Sequence, residues 1–312
     1  MSLRGVYPTT QMPFAVRCRC EWKLRTRSLS LGERTVVMGV VNTTPDSFSD
    51  GGAFRTSAEA IEHALAMFED GADIVDVGGE STRPGKRQPV SAQEEIDRVL
   101  PVLEGVLRHR PESILSIDTY KSATAAAGLH AGAEIVNDIS GFTWDEAMPQ
   151  VCAAAGYGVV LMHLHGPPGE WQQLPAMDGK QMAALVKHDL GQRLELARYA
   201  GLQREKIVLD PGFGFGKAYD RNYSLLVSLE ELGGLGQPLL AGVSRKSFLG
   251  RPLSGLYPGD DAPVESRGNA SLAAVTAAIL AGAHLVRVHD VRPSREAAAI
   301  ADAVLAAAAA SA

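Results

Sequence analysis

The feature that most constrains this chain is its rhythm. From Thr35 onward, short runs rich in Val, Ile and Leu alternate with longer stretches of helical period, the pattern of βα units that feed a parallel sheet. Eight such runs occur: TVVMGVVN (35–42), ADIVDVG (72–78), SILSID (113–118), AEIVND (133–138), YGVVLMH (157–163), KIVLDP (206–211), PLLAGVS (238–244) and HLVRVHD (284–290). Eight parallel strands, each followed by a helix, close on themselves, so the expected fold is an α/β (β/α)8 TIM barrel. Helix starts are marked between the runs. Thr56 and Glu59 have capping-box spacing, and Ala60, Ile61, Ala64, Leu65 and Phe68 follow at helical spacing until Gly71. Ser91 and Glu94 repeat the device ahead of Ile96, Val99, Leu100, Leu103 and Leu107.

No linker, low-complexity block or fixed-period repeat divides the chain, so residues 35–312 read as one catalytic barrel and residues 1–34 as an N-terminal extension. Within the extension, Cys18, Cys20, Trp22 and Leu24 alternate with Arg17, Arg19, Glu21 and Lys23 like one half-buried strand. That strand is expected to form a β-hairpin with its neighbour and close the barrel floor. The Cys18–Cys20 pair has no second Cys or His pair nearby to complete a zinc site. The Ala-rich tail after Val304 is expected to fray.

Charge narrows the partners. A formal net charge of -6 repels both a nucleic-acid backbone and an anionic membrane, so a small molecule is the expected partner, with any anion met by local cations. No apolar run reaches the length of about 18 residues that a span needs, and the N-terminus lacks the apolar core of a secretory signal. An odd set of three cysteines in a chain of 312 residues argues against a disulfide framework, and the expected location is the cytoplasm.

The polar residues fall in one kind of place. Asn42, Asp76, Asp118, Asn137, His163, Asp210, Ser244, Arg287 and His289 all lie at or just past the C-terminal ends of the apolar runs, the positions that converge on the catalytic rim of a barrel. Asp118, Asn137 and Asp210 suit the donor-and-acceptor edge of a planar nitrogen heterocycle such as an amino-pyrimidinone. Arg287, Lys246, His289 and Asn42 suit a phosphate or pyrophosphate, and Arg287 could also stack on the ring. The pocket read from these residues is bipolar. DPGFGFGK (210–217) looks like a phosphate loop but matches neither GxxxxGK[ST] nor GxGxxG. Its glycines are read as letting the backbone approach a ligand, with Phe213 or Phe215 as a wall.

Taken together, VMGVVNTTPDSFSDGG, DIVDVGGESTRPG, SIDTYK, IVNDISG, IVLDPGFGFGK, GVSRKSFLG and VRVHDV, in that order, closely resemble the dihydropteroate synthases. The resemblance runs from Thr35 to about Val304. It implies joining of 4-aminobenzoate to a dihydropterin pyrophosphate in folate biosynthesis, in a homodimer, with inhibition by sulfonamides that mimic the aminobenzoate. By the same resemblance, Asn42 matches a Mg2+ ligand that holds the pyrophosphate. Thr82, Asp118, Asn137, Asp210 and Lys246 match pterin contacts, and Arg287 and His289 match ring-stacking and pyrophosphate contacts. Pro84, Phe215, Lys246 and Ser247 match the aminobenzoate side. Asp46, Ser47 and Phe48, with Arg83 and Pro84, match segments that order over the substrates. Asp46, Arg83, Asp118 and Lys246 are the expected catalytic residues.

The implied reaction is dissociative: pyrophosphate leaves the pterin methylene, and the arylamine attacks the resulting cation. Asp118 and Asp46 would stabilise that cation. The chain departs from the family at Leu164 and His165, where Met and Gln are more usual, and in a somewhat longer 250–268 stretch. Two other readings use the same fold: a corrinoid-linked pterin methyltransferase module, and a catalytically silent pterin-binding paralogue. The STRPG, SRKS and RVH motifs supply the cations a pyrophosphate needs and favour the synthase.

Overall fold

A computed structural model describes residues 14, 17–43, 56–81, 89–167, 169–175, 177–257 and 261–310. A short antiparallel hairpin, β1 (Cys20–Lys23) and β2 (Ser28–Leu31), precedes the barrel. The barrel strands are β3 (Val36–Asn42), β4 (Ile74–Gly78), β5 (Leu115–Asp118), β6 (Ile135–Asp138), β7 (Gly158–Met162), β8 (Ile207–Asp210), β9 (Leu240–Ala241) and β10 (Leu285–Val288). They pair in parallel in the order β8-β7-β6-β5-β4-β3-β10-β9. A parallel bridge between Leu209 and Leu239 brings β8 to the entry of β9 and completes the ring.

The helices α1 (Ser57–Glu69), α2 (Ala92–His109), α3 (Ser122–His130), α4 (Met148–Ala155), α5 (Gly179–Tyr199), α6 (Tyr219–Val227), α7 (Leu229–Leu232), α8 (Gly268–Leu280) and α9 (Val291–Ala310) lie between and after the strands. Thr56 and Ser91 cap α1 and α2 as expected, each hydroxyl accepting from the backbone N–H three residues on. A reciprocal capping box forms at Asp178 and Gln181, ahead of α5. The alanine tail does not end at Val304: α9 continues to Ala310, because a run of alanines has the highest helix propensity and nothing in it breaks the helix.

Period two decides what each strand presents. Val37, Val41, Val75, Val77, Val136, Leu209 and Val286 pack outward against the helices. The opposite phase faces inward, and its lower layer is apolar: Met38, Ile74, Ile135, Val160, Val208, Leu240 and Leu285. Two residues further along the same strands stand Val40, Asp76, Asn137, Met162, Asp210, Gly242 and Arg287. The interior therefore changes from hydrocarbon to polar within one step of the pleat.

The hairpin seals the apolar end. Trp22, Leu24 and Leu31 join the lower layer, and the Trp22 indole N–H donates to the Lys206 carbonyl at 2.9 Å. Burying the Trp22 ring contributes about 3 kcal/mol. The alternation expected from Cys18 onward holds only from Cys20. Cys18 is exposed, while the Arg17 side chain is buried against Asp302 at 2.7 Å, because an ion pair outweighs the strand pattern there.

Candidate active site

The polar layer opens into a cleft of about 420 Å3 at the C-terminal ends of the strands. Asn42, Asp118, Asn137, Asp210, Phe215, Ser244, Lys246, Ser247, Arg287 and His289 all line it. Asp46, Ser47, Phe48, Thr82, Arg83 and Pro84 lie outside the described residues. Two of the strand-end polar residues do not line the cleft. Asp76 is fully buried and hydrogen-bonded to the lining residues Asn137 and Arg287. His163 turns toward α5, where its Nε2 meets Asp189 Oδ2 at 3.1 Å. Burial pushes that imidazole down to about 3, so it is neutral.

Arg287 organises the polar end. Its Nε donates to Asp76 Oδ2 and its Nη2 to Asp118 Oδ2, each at 2.7 Å. Burial works to lower its pKa, but Asp76 and Asp118 overcome it and hold the guanidinium above its ordinary value. Burial pushes Asp118 up to about 7 against the pull of Arg287, with Asp76 adding like-charge repulsion. Asp210 is also raised by burial, opposed by the Gly212 N–H that donates to its Oδ1 at 2.7 Å. Lys246 keeps part of its surface open to the cleft. Crowding by protein pushes it down to about 8, with Arg287 acting the same way.

The glycines of the 210–217 loop divide between two jobs. Gly214, at φ +82, lines the cleft, whereas Gly212 and Gly216, at φ +69 each, do not. A Cβ on either would stand 1.9 Å from the His163 carbonyl or 2.0 Å from that of His165, so these glycines let the loop lie against the chain leaving β7. Phe213 is buried beside Phe248, although one edge reaches the cleft, and Phe215 is the wall, with the Lys246 ammonium 3.9 Å from its ring centroid. Lys217 fastens the loop. Its ammonium donates to the carbonyls of Gly212 (2.8 Å), Phe215 (3.1 Å) and His163 (3.4 Å). Burial lowers it to about 7.

Sequence reasoning gave no role to Met162, Ile139 or Tyr219 and took Arg245 only as one cation of the SRKS motif; all four also line the cleft. What the motif does not show for Arg245 is its backbone, which sits at φ +56, held by Asp290 and by Ser271, which accepts from its N–H. That turn delivers Lys246 to the cleft. Ser244 Oγ lies 3.1 Å from His289 Nδ1 and ties β9 to β10 at the rim. The departing Leu164 packs with Ile139 and Met162 in a small apolar cluster.

A barrel closed by a hairpin at one end, with buried carboxylates, an amide and cations at the other, defines a class. Residues 38–289 match the pterin binding enzyme family, and the chain belongs to it. It is 42% identical over 273 residues to the dihydropteroate synthase of Synechocystis sp., covering 88% of this chain and 91% of that one. Among solved structures, it is similar to the Yersinia pestis dihydropteroate synthase with a sulfonamide drug complex. That likeness has 40% identity and a TM-score of 0.83, covering 92% of this chain and 100% of that one. It is also similar to the Xanthomonas albilineans dihydropteroate synthase in complex with 7,8-dihydropteroate, at 36% identity and a TM-score of 0.78, with 92% and 99% covered.

Proposed function

We propose that this chain condenses 6-hydroxymethyl-7,8-dihydropterin pyrophosphate with 4-aminobenzoate, giving 7,8-dihydropteroate and pyrophosphate. The observation that carries this reading is the two-sided cleft. Asp118, Asn137 and Asp210 face a donor-rich ring edge, while Lys246, Arg287 and His289 supply cations and donors beside them. The relatives that bear the name dihydropteroate synthase support it.

Asp118 and Asp210 orient the ring, and an ionised Asp118 stabilises positive charge as the C–O bond to pyrophosphate breaks and the bonding pair leaves with the phosphate. The arylamine nitrogen, placed against Phe215, Lys246 and Ser247, then forms the new N–C bond and releases a proton. Thr82 and Pro84 complete the pterin and aminobenzoate contacts, and Asp46 and Arg83 act with Asp118 and Lys246 in catalysis; these four assignments rest on the resemblance of their motifs. Arg287 and His289 hold the departing anion. The Asn42 carbonyl oxygen, at the end of β3 and lining the cleft, is a hard donor of the kind Mg2+ takes alongside phosphate oxygens and waters. When bound there, Mg2+ would neutralise pyrophosphate charge.

The family resemblance supports a homodimer. Three free cysteines fit a reducing cytoplasm.

The test is pyrophosphate release by the purified chain given the dihydropterin pyrophosphate, Mg2+ and 4-aminobenzoate, omitting each in turn, with a sulfonamide competing against aminobenzoate. Release that needs all three establishes the synthase. Pterin binding without release would instead favour the silent paralogue or the methyltransfer module.

A further inference from the structure

Asp76 is fully buried on β4, and a single oxygen of its carboxylate serves two neighbours. Oδ2 accepts from Asn137 Nδ2 at 2.9 Å and from Arg287 Nε at 2.7 Å. Oδ1 is buried with no hydrogen-bond partner. A purely structural Arg–carboxylate pair favours two parallel bonds using both oxygens. Here the second arm of the guanidinium goes to Asp118, so Asp76 is shared between a cation and an amide.

A carboxylate can only accept, so the Asn137 amide must turn its NH2 toward Asp76, and its carbonyl oxygen is left for the cleft that Asn137 lines. Without that constraint the amide could present either end. We propose that Asp76 is a positioning residue that sets the polarity of the pterin pocket by fixing Asn137 as an acceptor, while also holding the Arg287 guanidinium in place. The floor then reads a heterocycle edge rich in N–H donors and rejects one rich in acceptors. This rests on the pterin reading above.

Asp76→Asn keeps the shape of the side chain but lets Asn137 turn over. Turnover of all three wild-type components is measured first, so failure of the synthase reading shows independently. In the variant, calorimetry with the dihydropterin pyrophosphate and Mg2+ should show binding weakened about tenfold, the worth of one neutral hydrogen bond. KM for aminobenzoate should stay within about twofold, since that side of the cleft does not touch Asp76. In an Asn137→Ala background the same substitution should cost less than it does alone, because the part of its effect that passes through the amide is already gone and only the Arg287 contact remains to be lost. A lower melting temperature with pterin affinity unchanged, or fully additive losses, would overturn the proposal. Should Asp76→Asn fail to fold, neutron diffraction of the wild-type pterin complex decides: the Asn137 Nδ2 amide group facing Asp76 supports the assignment, and the reverse orientation refutes it.

Discussion

Asp118 titrates at about 7 because burial disfavours its charge more than Arg287 favours it. This makes Asp118→Asn the most informative substitution. Activity that needs an ionised Asp118 should rise with pH through about 7, and that of Lys246 as a cation should fall through about 8, giving a bell-shaped kcat/KM profile. The asparagine variant should lose about 10²-fold in kcat, the usual worth of one preorganised electrostatic contact, and its acid limb should disappear.

Stability supplies an independent reading. A carboxyl raised in the folded state favours folding below its ordinary value of 3.8, and this contribution is lost as pH rises through about 7. At about 1.4 kcal/mol per pH unit the difference approaches about 4 kcal/mol, a ceiling reduced by solvent relaxation. The melting temperature of Asp118→Asn relative to wild type should therefore be higher at pH 8 than at pH 5, by several degrees and at most about 10 °C. Calorimetric scans at the two pH values, beside a stopped-time pyrophosphate assay from pH 5 to 9, measure both effects. An acid limb that survives unchanged in the variant would place that titration on the substrate and refute the reasoning, as would a melting difference independent of pH.

Further outcomes follow from the same geometry. Asp210→Asn should raise KM for the dihydropterin pyrophosphate and lower turnover, seen in steady-state kinetics, since one of the ring-facing carboxylates becomes an amide with a donor end. Lys217→Met should cost about 2–4 kcal/mol in urea unfolding by stranding carbonyls of the 212–216 loop, and should raise KM for aminobenzoate through Phe215. Trp22→Ala should lower stability by about 3–5 kcal/mol while leaving kcat unchanged well below the melting temperature, because the hairpin seals the end of the barrel opposite the chemistry.

Much of this was readable along the chain, for a physical reason: a parallel strand buried on both faces announces itself as an apolar run, and its polar end stands out against that run. The inward phase of Ile135, Asn137 and Ile139, or of Val208 and Asp210, follows from period two alone. Other features depend on close approach between distant segments. Of the loop glycines read as letting the backbone approach a ligand, Gly214 lines the cleft, but Gly212 and Gly216 pack on the carbonyls of His163 and His165, a contact between two loops. Arg17 and Cys18 exchanged the exposure their alternation implies because Asp302, at the far end of the chain, draws the arginine inward. Asp76 was placed at the rim with the other strand-end polar residues, but its pairing was not legible because its partners are 61 and 211 residues away, on β6 and β10.

The same distances explain how a chain of net charge -6 can hold an anion. Asp76 and Asp118 use their charge on Arg287 and so keep a guanidinium fixed and ionised at the cleft, where an isolated buried cation would be costly. Lys246 has no such bidentate clasp and drops to about 8, leaving it the more readily neutralised cation. One half-buried cation is thus held by carboxylates below it, while the other depends on Asp210, Asp118 and whatever occupies the cleft. Binding an anion should therefore raise the pKa of Lys246 far more than it changes Arg287, and the basic limb of the kcat profile should lie above that of kcat/KM.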